Sequence, residues 1–166
     1  MQLERVGQGS HDGREWLVGG AADLASLSAG FACPGPHCVL FLALDATGAV
    51  YAELLKAATI LIARGVAYVC AWGPGARRVE QAFDEAATNL AAADACSFGP
   101  DDVIMTVSDE ATSLEEALWF AAWSSYPTPQ FQSTTRSLVA LAVGQAAWEE
   151  RIRQYLALGA PMTDEA

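Results

Sequence analysis

Four apolar runs decide what this chain can become. CVLFLAL (38–44) and VAYVCAW (66–72) are unbroken, and DVIMTVS (102–108) and SLVALAV (137–143) are only slightly more mixed. Runs this short, rich in Val and Leu and without a polar alternation, are the mark of strands buried on both faces. The segments between them change period. AVYAELLKAATILIARG (49–65) puts Val50, Leu54, Ala58 and Leu61 on one stripe and ends in Gly65, a good C-cap. From about Arg77, Val79, Phe83, Ala86 and Leu90 form the next stripe. TSLEEALWFAAWSSY (112–126) opens with the capping box Ser113-x-x-Glu116, and QAAWEERIRQYLALG (145–159) ends at Gly159. Buried strands alternating with helices imply a parallel sheet covered on both sides. The pattern predicts an α/β fold: a three-layer Rossmann-like or flavodoxin-like sandwich of about four parallel strands, in the order 2-1-3-4.

The flanks are less regular. Residues 1–15 are polar and Gly-rich and read as an N-terminal arm or a short edge segment, with 16–166 as one domain. WLVGGAADLASLSAGFACPGPH (16–37) reads as a weak helix ending at a Pro-Gly-Pro turn. A chain of 166 residues can bury a full core without staples. The start MQLERVGQGSHDGREW does not have the form of a signal peptide, and the apolar stretch near 50–69 is broken by Glu53, Lys56, Arg64 and Gly65. Four cysteines then read as reduced thiols in a cytoplasmic protein. Nine basic against twenty acidic residues, a net charge of −11, argue against nucleic acid and anionic membrane as partners.

In a sheet of this kind ligands sit beyond the carboxyl ends of the strands, where the strand order reverses. The loops there carry Asp45, the turn WGPGARR with Gly73, Gly75, Arg77 and Arg78, then Ser108 and Asp109, and Gly144-Gln145. With the order 2-1-3-4, Asp45 and Asp109 would face each other and could hold a cation or act as an acid–base pair. Helix capping is the commoner use of such carboxylates. Gly73 and Gly75 have the spacing of a dinucleotide fingerprint's first two glycines. Arg78 replaces the third, and no P-loop lysine follows, so the turn reads first as a corner. Arg77 and Arg78 at a helix start could still meet an anion. ACSFG (95–99) approaches a nucleophile elbow around Ser97 but falls between a helix and a strand, the wrong context. CPGPHC brings Cys33, His37 and Cys38 together without a second ligand pair; no metal and no cofactor are expected. The helix at 112–126 is apolar almost all round. Trp119, Trp123 and Tyr126 make a second stripe on it, of the residue types that anchor interfaces.

The strings YVCAWGP, RVEQAFDEA, DDVIMT, SLEEALWF and the Val143-Gly144 strand end before Trp148 resemble a family of small bacterial proteins of unknown function. The resemblance rests on Cys70, Trp72 and Gly73; Phe83, Asp84 and Glu85; Asp102, Val103, Met105 and Thr106; and Ser113, Leu114 and Glu116 through Phe120. It covers about residues 38–158. Members of that family often carry Trp-His after Met-Thr, where this chain has Val107-Ser108. It implies a bacterial Rossmann-like domain and no activity. The function expected is a non-enzymatic interaction or regulatory module, working through the aromatic helix and acidic surface on a protein partner or a second copy. The alternative is a small-molecule or nucleotide-binding enzyme with its site at the strand ends.

Overall fold

The computed structural model describes residues 1–93 and 102–162. In chain order the elements are β1 (Glu4–Gln8), β2 (Glu15–Ala21), α1 (Leu24–Gly30), β3 (His37–Leu44), α2 (Tyr51–Ala63), β4 (Val66–Trp72), α3 (Ala76–Ala92), β5 (Met105–Asp109), α4 (Leu114–Trp123), α5 (Pro129–Gln132), β6 (Thr135–Val143) and α6 (Ala146–Ala157). The α/β class is as expected and a strand forms in each of the four apolar runs. β5, however, begins at Met105 rather than 102 and is a sheet-edge strand with no fully buried residue, and the count of strands differs. The sheet has six strands in the order β1-β2-β6-β3-β4-β5. Every neighbouring pair is parallel except β1 with β2, so the sheet is mixed. The four foreseen strands therefore run 4-1-2-3, not 2-1-3-4.

One added strand, β2, occupies the first part of the stretch read as a weak helix, and α1 follows it. Gly19 and Gly20 are what disguised it. A Cβ on Gly20 would lie 2.1 Å from Oε2 of Glu149, and one on Gly19 would lie 3.0 Å from the carbonyl oxygen of Gln2. A glycine in a strand marks such close approach, here of α6 and the chain start.

The continuous apolar runs make sense once both faces are seen to be covered. In β3, Cys38, Leu40, Leu42 and Leu44 pack with Leu54, Ala58 and Leu61 of α2 and Val79 and Phe83 of α3. Val39, Phe41 and Ala43 pack on the opposite face with Leu118 and Ala121 of α4 and Ile152 and Leu156 of α6. Period-2 alternation thus sorts one strand into two cores. Ser113 and Glu116 close the capping box at the start of α4: the Ser113 hydroxyl accepts from the Glu116 amide at 3.2 Å, and the Glu116 carboxylate accepts from the Ser113 amide at 2.8 Å.

The turn between β1 and β2 docks on the other end of α4. Arg14 is only 5% exposed. Its guanidinium donates to the Ala122 carbonyl at 3.1 Å, to the Ser125 carbonyl at 3.0 Å, and to the Asp12 carboxylate. A cation is thereby placed where the helix dipole is negative and the last carbonyls lack partners.

Candidate functional site

The carboxyl edge of the sheet divides into a closed half and an open half. The closed half lies over β4 and β5. Gly73 and Gly75 have φ of +114° and +76°, and Cβ atoms there would come within 2.8 Å of the Leu44 oxygen and 2.9 Å of the Ala46 carbonyl carbon. Only glycine lets this turn lie against the loop after β3. The Pro74 carbonyl then accepts from the Ala46 amide at 2.7 Å. Arg78 is spent on the same joint, donating to the Ala46 carbonyl, to that of Thr47 at 3.2 Å and to that of Ala49 at 2.8 Å. At the start of α3, where an anion would sit, the Glu110 carboxylate accepts from the Arg77 amide at 3.0 Å. The chain supplies its own anion there.

The facing pair of carboxylates does not form, because β4 separates β3 from β5. Asp45 accepts from the Thr47 hydroxyl at 2.6 Å and its amide at 3.0 Å, which holds its carboxyl below the usual range. Burial would raise the Asp109 carboxyl, but the amides of Thr112 and Ala111, both at 2.9 Å, outweigh it and leave the group more acidic than usual. Both carboxylates close local turns. The Ser108 hydroxyl donates to the Glu80 carboxylate. The elbow-like stretch around Ser97 lies outside the described residues.

The open half lies over β2, β6 and β3. A cavity of about 780 Å³ opens there between α1 and α2, with Leu44 and Val143 among its lining and Gly144 and Gln145 at the start of α6. Ala22, Ala25, Ala29 and Ala49 line it because their side chains are too small to fill it. Its ionisable lining is Asp23, Asp45, Glu53, Lys56 and Arg64. Asp23 is the N-cap of α1, accepting from the Ser26 amide at 2.7 Å, which lowers its carboxyl. Arg64 donates to the carbonyls of Ser28 and Phe31 at 2.6 and 2.7 Å and so ties α2 to the end of α1. Of the residues singled out in the sequence, Asp45, the Val143-Gly144 strand end and Gln145 line this cavity, whereas Gly73, Gly75, Arg77, Arg78, Ser108 and Asp109 do not.

The aromatic helix has two environments. The Trp123 indole donates to the Ala160 carbonyl at 2.9 Å and its ring lies 5.7 Å from that of Trp16 and 4.9 Å from that of His11. Tyr126 is 53% exposed, with its hydroxyl 3.1 Å from His11 Nε2. Trp119 and Phe120, half-buried, line a smaller groove of about 350 Å³ against β5, whose rim includes Asp109 and Glu116. At the opposite edge of the sheet His37 meets the Thr134 hydroxyl at 2.8 Å and the Phe131 ring. Among the described residues no three His, Cys, Asp or Glu side chains gather as a metal site.

The family model for a domain of unknown function, DUF7684, matches residues 20–158. The chain belongs to the DUF7684 family. No curated protein matches it. The matched span begins inside β2 and ends after α6, so it takes in every element that lines the larger cavity. Among the described residues no helix is long and apolar enough to cross a membrane.

Proposed function

We propose that this DUF7684 domain binds a small polar molecule in the crevice between α1 and α2. The carrying observation is position. From β3 the order runs to β4 and β5 on one side and to β6 and β2 on the other, and the crevice lies at that reversal. Strand-order reversals are where open α/β sheets hold ligands, and a volume of about 780 Å³ falls within the usual range of about 300–1,000 Å³. Binding rather than turnover is the better reading. Asp23, Asp45 and Arg64 are committed to turns and caps, and the Ser28 hydroxyl is bonded to the Leu24 carbonyl. Glu53 and Lys56 on α2 supply an acceptor and a donor for the guest.

The test is ligand-observed NMR with a library of polar fragments, run on the wild type and on Ala25→Trp. Ala25 is exposed on α1, so the indole fills the crevice without touching the core. Fragments that bind the wild type should lose their signal with A25W at an unchanged melting temperature. Equal binding to both proteins would refute the assignment.

A second reading, contact with a protein partner, is favoured by one observation. Trp119 and Phe120 leave an apolar groove with an acidic rim beside edge strand β5. Of the aromatic residues on this helix, these two suit a partner best, since Trp123 is already bonded to Ala160.

A further inference from the structure

Away from the crevice, at the amino ends of the strands, two cysteines bracket one turn. We propose that Cys33 and Cys38 are a modification site, forming a reversible intramolecular disulfide when the protein meets a hydroperoxide.

The sequence between them, Pro34-Gly35-Pro36-His37, turns the chain back on itself. Both cysteines converge on one carbonyl. Gly65 accepts the Cys38 amide at 3.0 Å and has Cys33 Sγ at 4.0 Å. A Cβ on Gly65 would lie 3.5 Å from Cys33 Cβ and 2.3 Å from the Pro36 oxygen, so the glycine makes room for the loop that carries Cys33.

The two sulfurs differ in the way a reacting pair requires. Cys33 is half-buried and open to a small oxidant, whereas Cys38 is fully buried. The neighbouring Cys38 thiol favours the Cys33 thiolate, while Cys33 and then burial push the Cys38 thiol up. The accessible sulfur is thus the better nucleophile and the buried one is placed to resolve it.

Two further features lie beside Cys38. Ser137 of β6 is its register partner, on the face covered by α1 and α2. Its hydroxyl is buried and has no partner. The pairing of β3 also shifts at this point, against β6 between His37 and Cys38 and against β4 between Cys38 and Val39. An irregular strand end gives the Cys38 backbone slack that a regular ladder would deny.

The chemistry balances with the hydroperoxide as oxidant. The Cys33 thiolate attacks the peroxide oxygen, the O–O bond breaks, and the departing alkoxide or hydroxide takes a proton. Cys38 sulfur then attacks the resulting sulfenic acid. An S–S bond forms, the S–O bond breaks, and water leaves with the Cys38 proton. Two thiols and one hydroperoxide give one disulfide, one alcohol (water, from hydrogen peroxide) and one water. An external dithiol reverses the change by exchange.

The test uses the full chain, reduced, treated with hydrogen peroxide at pH 7.5, alkylated with iodoacetamide and digested with trypsin. Peptide 15–56 holds both cysteines and no internal Lys or Arg. It should become two hydrogens lighter, lose both alkylation sites and regain them after dithiothreitol. Cys33→Ser, a small change at a half-buried loop position, should abolish the disulfide and leave Cys38 alkylated after unfolding. Cys38→Ser should leave Cys33 to gain oxygen instead. The proposal is overturned if the wild-type peptide stays doubly alkylated, if Cys33 gains oxygen with Cys38 present, or if Cys33 pairs with Cys96.

Discussion

Replacing Arg14 by methionine should destabilise the protein by about 3 kcal/mol. Methionine keeps much of the stem's volume, so the loss comes from the head group. The Ala122 and Ser125 carbonyls at the end of α4 lose a charged donor, and the Asp12 carboxylate loses its cation. Breaking a buried ion pair from one side costs about 3–5 kcal/mol. The lower end applies here because Asp12 keeps 20% of its side-chain surface exposed and can take up water. For a domain of this size that loss corresponds to a melting temperature lower by about 6–12 °C. Urea unfolding at pH 7, followed by far-ultraviolet circular dichroism, should show a lower midpoint at an unchanged slope. Asp12→Asn keeps one oxygen to accept the Arg14 amide and leaves the guanidinium on the α4 carbonyls, so it should cost less, about 1 kcal/mol. If Arg14→Met costs under about 1 kcal/mol, the turn between β1 and β2 does not clamp α4, and the reasoning fails.

Glycine substitutions should separate backbone from side-chain crowding. Gly75→Ala sets a Cβ against the Ala46 backbone in a left-handed conformation and should cost about 3 kcal/mol, whereas Gly20→Ala need only displace the Glu149 carboxylate and should cost under about 1 kcal/mol, both by urea titration. Burial, and then the Glu115 carboxylate, push the Tyr155 phenol up to about 12. The unfolded phenol releases its proton near pH 10, so stability should fall as pH rises from about 10 to 12, and Tyr155→Phe should flatten that fall in denaturation midpoints. Trp119→Ala should leave the melting temperature nearly unchanged and weaken any self-association seen by light scattering, while Trp123→Ala should cost about 3 kcal/mol.

The central strands were legible because β3 and β4 are buried on both faces and the sequence shows no polar interruption. The start of α4 was legible because Ser113 and Glu116 settle it between themselves. Neither signal needs knowledge of distant residues. β2 does: its glycines record the approach of Glu149 and Gln2, far away in sequence, and read locally they look like weak structure. Strand order depends on which edge β6 joins, a matter of one long connection rather than any motif. With the order missing, Asp45 and Asp109 were paired across a gap that β4 fills. The crevice was illegible for a related reason. Its walls are alanines and caps, ordinary locally, and they enclose a crevice only when β2, β6 and β3 lie side by side.

The place of β6 has a consequence for synthesis. The last of these six strands to leave the ribosome goes into the interior of the sheet, with β2 on one side and β3 on the other. Until Thr135–Val143 emerges, the hairpin of β1 and β2 has no neighbour to join, and β3 presents an unpaired apolar edge. Such an edge is a template for wrong pairing between nascent chains. The pairing that closes it joins Cys38 to Ser137, and β2 then adds through Glu15 to the same Ser137, both contacts of very long loop, which slows the step. A chain stalled before residue 135 would therefore be a sheet split in two, a species for chaperones to hold rather than a smaller folded domain.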